Sequence, residues 1–179
     1  MIANTFGFLA LVSLIIPGFL AVNLLIPKES LPMKFSLSYL FGGSLITLAL
    51  FSINLLLGVQ LNLINSWIIY VIVTFSLLLF NSLRKFSFQI EPKRVFDKVS
   101  SLSVFEIILG LLLVWFLLSA LITSFWFPVT DWDAITLFDY RATVILTTGS
   151  VRGVLFEASL FEYPFYTTLL HFWTRLNGL

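Results

Sequence analysis

The side chains best able to do chemistry are gathered in FPVTDWDAITLFDYRA, residues 127–142. Asp131, Asp133 and Asp139 fall within nine positions, and Tyr140 and Arg141 follow at once. A carboxylate can take the proton of an attacking hydroxyl. A guanidinium can hold the charge of a departing phosphate through paired hydrogen bonds. Asp131 and Asp133 together could also hold Mg²⁺ or Mn²⁺. Only 11% of the residues are charged, so this density of acid calls for a reason. Plainer duties compete at each position. Asp131 suits a helix N-cap, Asp133 the positive end of a helix dipole, and Trp132 and Tyr140 the membrane interface. Arg141 could pair with Asp139, with Glu162 or with a lipid phosphate.

Composition removes several other chemistries. Zero cysteines exclude disulfides and thiolate catalysis, and a single histidine excludes a histidine-based metal site. A net charge of +1 without a basic stripe excludes nucleic acid as a partner.

The acidic stretch must be positioned by membrane helices. Hydrophobic residues make up 59% of the chain, against about 45–50% in soluble domains. They come in blocks of about twenty, the length that crosses a bilayer. Four such spans are read at 5–26, 36–58, 67–83 and 103–126, a four-span bundle over residues 1–126 in an all-α, polytopic helical membrane protein. Lipid offers no hydrogen bonds to the backbone, so each span must be helical. Pro17-Gly18 should kink or break the first. Gly42-Gly43-Ser44 should let a neighbouring helix approach the second. Glu106 is expected to snorkel to the interface at the start of the fourth.

Basic residues set the orientation. Lys28, Lys34, Arg84, Lys85, Lys93, Arg94 and Lys98 follow the first and third spans, whereas Arg141 and Arg152 follow the fourth among five acids. Positive-inside counting puts the N-terminus outside and the loop 127–163 on the extracytoplasmic face, in the cell membrane. Within that loop, Thr130 or Asp131 as N-cap and Gly149 as stop predict an interfacial helix over about 132–148. Ile135, Phe138, Ala142, Ile145 and Leu146 would form its apolar face, with Asp133 and Tyr140 on another and Arg141 at the flank. Residues 164–179 read as the start of a fifth span, with Arg175 at the cytoplasmic end and His171 hydrogen-bonded within the bundle. The chain then reads as the front portion of a longer protein.

The order of these features resembles the beginning of GT-C-type glycosyltransferases, polytopic enzymes that take a sugar from a polyprenyl-phosphate carrier. The residues that carry the likeness are Asp131-Trp132-Asp133, Tyr140-Arg141-Ala142, Gly149 and Tyr163-Pro164, within about 125–179. The segment Phe138 to Thr143 also resembles the same loop of oligosaccharyltransferase catalytic subunits. The overall likeness is greater to the protein-mannosyltransferase and lipid-sugar-transferase branch. That branch carries an adjacent Asp-Glu pair after its first span, whereas here Trp132 separates two aspartates and three further spans precede them. The resemblance implies Asp131 or Asp133 as catalytic base, with Asp131 preferred as the first acid after the span. It further implies Tyr140, Arg141 and Tyr163 as substrate-binding residues. The implied partners are membrane lipid, a polyprenyl-phosphate-linked sugar donor and an acceptor of unknown identity, with no obligatory cofactor. Two alternatives remain: a non-catalytic polytopic subunit of an envelope-polysaccharide assembly, and a transporter or flippase fragment. Spans almost devoid of ionisable groups count against the transporter.

Overall fold

The computed structural model describes residues 2–83, 103–126, 138–155 and 165–178. They form helices only: α1 (Ile2–Ser13), α2 (Ile15–Leu25), α3 (Leu31–Leu57), α4 (Leu63–Leu83), α5 (Val104–Trp126), α6 (Tyr140–Thr148), α7 (Arg152–Leu155) and α8 (Phe165–Leu176). Met1–Phe86 and Trp132–Leu179 make one compact unit, and Ser87–Asp131 make a second that contains α5. Three helical segments, Phe6–Leu25, Leu31–Leu57 and Leu63–Leu83, are long and apolar enough to cross a membrane. The chain is an all-α polytopic membrane protein.

The first span breaks at Leu14, one turn before Pro17. A proline lacks the amide hydrogen that would bond the carbonyl four residues earlier, so its effect falls on Ser13. The Ser13 carbonyl instead accepts a hydrogen bond from Tyr70 Oη of α4 at 2.7 Å. At the break the Leu14 amide turns to Leu11. The Ala10 carbonyl accepts from Trp173 Nε1 of α8 at 3.0 Å. Side chains of two other helices thus satisfy backbone groups that lipid would leave unpaired.

Helices α2 and α3 touch through their backbones. A Cβ on Gly18 would land on the Ser38 carbonyl oxygen, and one on Gly42 on the Leu14 carbonyl. The small-residue patch therefore does what its composition suggested. Gly43 accommodates the hydroxyl end of Tyr166 from α8. Gly58 ends α3 in a left-handed conformation (φ 67°), and Asn62 caps α4 by accepting from the Asn65 amide.

Two charged residues have roles beyond those expected. Lys34, counted among the loop charges, lies in the first turn of α3 and is buried. Its Nζ donates to Asn23 Oδ1 and to the Pro27 carbonyl, both at 2.7 Å. Asn23 in turn donates to Asn81 of α4. The two short hydrogen bonds, one to a side-chain amide and one to a loop carbonyl, offset the cost of burying the cation in the first turn of α3. Glu106 closes a capping box at α5, its carboxylate accepting from the Ser103 amide at 2.8 Å. The motif Ser-x-x-Glu was present in the sequence as the signal.

Candidate functional site

Helix α6 ends where the spacing placed its stop. Gly149 takes φ 67° and its amide bonds the Ile145 carbonyl at 2.8 Å. The apolar face keeps Ala142 and Ile145 as expected and gains Arg141. Arg141, Ala142 and Ile145 are fully buried, while Phe138 and Leu146 are half-buried. Arg141 sits on the face, not at its flank, because residues 141 and 145 are one turn apart.

Tyr140 and Arg141, adjacent in sequence, therefore diverge. Tyr140 is 46% exposed and Arg141 is 0% exposed. The guanidinium carbon of Arg141 lies 5.5 Å from the centre of the Phe165 ring at the start of α8, a cation–π contact. Phe165 packs on Phe51 of α3 at 5.2 Å between centroids. A guanidinium in such a place is weakly hydrated and strongly felt by any anion that reaches it.

A polar seam joins α6 to α8. Arg175 Nε lies 3.1 Å from Asp139 Oδ1, and its Nη1 donates to Thr143 Oγ1. His171 packs its ring against Phe138 with centroids 6.3 Å apart. Asp139 thus has Arg175 as its ion-pair partner. The other predicted site residues, Asp131, Asp133 and Tyr163, lie outside the described residues, as does Glu162. Among the described residues no group of three His, Cys, Asp or Glu is placed to hold a metal.

Asn54 positions this region, and sequence reasoning missed it. It is buried in the last turn of α3. Its Nδ2 donates to the Val59 and Gly149 carbonyls at 2.8 and 3.0 Å, and its Oδ1 accepts from the Val151 amide at 2.8 Å. The Leu61 amide also reaches the Gly149 carbonyl. One carboxamide therefore ties the end of α6 to the α3–α4 turn. The available signal was a lone amide near the end of an apolar span, since polar groups there are costly unless bonded.

The fold and this seam define a helical membrane protein with a buried arginine and an ion pair gathered at one end of its bundle. No family model matches the chain, and neither does any curated protein or solved structure.

Proposed function

We propose that this chain belongs to a membrane glycosyltransferase that moves a sugar from a polyprenyl-phosphate carrier to an acceptor on the outer membrane face. The observation that carries the reading is the pair Tyr140 and Arg141. One is exposed and the other is shielded from water, directly after an acidic segment at one end of an apolar bundle. The excess of Lys and Arg after the first and third spans supports an extracytoplasmic position for that segment.

In this reading Asp131 or Asp133 takes the proton from the acceptor hydroxyl as its oxygen bonds to the anomeric carbon. The bond from that carbon to the phosphate oxygen breaks, and polyprenyl phosphate leaves with the electron pair. Arg141 offers a cation to the phosphate where low dielectric strengthens the attraction. Tyr140, 46% exposed, is open to an incoming substrate. The carboxylates could hold a divalent ion, a role open to the same test.

Membranes from cells producing the full protein should consume radiolabelled undecaprenyl-phosphate-linked hexoses. The double variant Asp131→Asn, Asp133→Asn should insert at the same level and lose that consumption. Undiminished consumption in the double variant removes the catalytic assignment. No consumption by either protein, across a panel of such donors, favours a non-catalytic subunit.

A further inference from the structure

We infer that α8 is a re-entrant plug: it starts inside the bundle, rises to the end that carries the α3–α4 turn, and seals the break in the first span. Both of its flanks are fastened at that end. Ahead of it, α7 is held there by Arg152 Nη2, which donates to the Leu55 carbonyl at 2.8 Å, and by the Val151 amide on Asn54. Behind it, Asn177 Oδ1 accepts from Trp67 Nε1 at 2.8 Å, at the start of α4. Arg175 meets Asp139 and Thr143 of α6 nearby.

The start of α8 lies deeper. Tyr166 touches Gly43, fourteen residues before the end of α3, about 21 Å down the helix at 1.5 Å per residue. Trp67 is four residues into α4, about 6 Å from its start on the same scale. Phe165, beside Tyr166, meets Phe51, six residues and about 9 Å before the same end of α3, so α8 lies tilted, with its start between these two levels and its last turn at the level of Trp67. Among the described residues α8 covers twelve, about 18 Å, against a ~30 Å hydrocarbon core.

Its end is also a stop. Gly178 takes φ 93°, the Asn177 amide bonds the Thr174 carbonyl, and the Gly178 amide bonds the Arg175 carbonyl. Between the two ends Thr168, Leu169, Phe172 and Trp173 form the buried stripe. Trp173 closes the break by bonding the Ala10 carbonyl and packing on Tyr70 at 5.7 Å and on Trp67 at 5.0 Å. Arg175 therefore belongs to the same end as α6. Positive-inside counting had sent it to the opposite one.

The absence of cysteine makes the test direct. Single variants Gln60→Cys and Lys28→Cys, both at exposed positions, mark the two ends in intact cells treated with a membrane-impermeant maleimide. Arg175→Cys should label from the side that labels Gln60→Cys. Thr174→Cys, which keeps the Arg175–Asp139 pair, should do the same. Labelling of either from the Lys28→Cys side would make α8 a crossing helix and overturn the inference. The readout needs no catalysis, so it stands or falls apart from the proposed transferase activity.

Discussion

Replacing Tyr70 by Phe removes one oxygen atom, and the structure says what that atom does. Its hydroxyl donates at 2.7 Å to the Ser13 carbonyl, which Pro17 deprives of a helical amide. Tyr70 is 6% exposed, so water does not readily replace it. Side-chain hydrogen bonds within membrane helices contribute about 0.6 kcal/mol on average and up to about 1.7. An orphaned buried carbonyl costs about 1–3 kcal/mol. The expected loss for Tyr70→Phe is therefore about 1 kcal/mol. Pro17→Ala supplies a new amide to the same carbonyl, so Tyr70→Phe in that background should cost less than about 0.3 kcal/mol, within additivity error. The assay is a double-mutant cycle by SDS unfolding in mixed micelles, followed by far-ultraviolet circular dichroism. Equal cost in both backgrounds would refute the claim that Tyr70 serves the carbonyl released by Pro17.

The remaining predictions concern packing and the tie between turns. Gly18→Ala and Gly42→Ala should each cost more than the about 1–3 kcal/mol of ordinary overpacking, because the obstacle is a backbone carbonyl and not a flexible side chain; the same unfolding assay reads it. Gly58→Ala and Gly149→Ala share φ 67°, yet a Cβ meets nothing at 58 and strikes Gln60 at 149. Gly149→Ala should therefore be the more destabilising, with Gly58→Ala limited to about 1 kcal/mol of left-handed strain; equal losses would count against the docking of the two turns. Asn54→Ala should cost about 2 kcal/mol or more by removing the partner of the Val59 carbonyl and of the Val151 amide, while the Gly149 carbonyl keeps the Leu61 amide. It should also speed proteolysis near Gly149, and unchanged protection there would remove its role as a tie.

Local sequence signals described some elements well. The Gly149 stop and the Gly42 contact follow from needs that one residue or one pair of helices defines, and both appear as expected. Pro17 identified the break, but its position at Leu14 follows from the carbonyl it leaves without a donor, four residues earlier. Of the candidate site, Tyr140 and Arg141 were legible as chemistry-bearing residues. Which of them faces solvent was not, because the two differ by about 100° around α6 and the packing of α8 selects the face.

By itself the sequence determined that this is a helical membrane protein, since runs of about twenty apolar residues have one stable form in lipid. It also placed helix ends near Ile26, Gly58 and Gly149, because glycines and turns act over a few residues. Helices α3 and α4, by contrast, begin at Leu31 and Leu63, about one turn ahead of the apolar runs read from 36 and 67. Tertiary structure alone decided the rest. Asn54 finds Gly149 and Val151 across more than ninety residues, Trp173 finds Ala10 across 163, and Arg175 finds Asp139 across 36 (175 − 139). Charge counting treats each arginine as a label for a side of the membrane. A half-length helix that rises from within the bundle breaks that rule, because its direction is set by which buried donors and acceptors must meet.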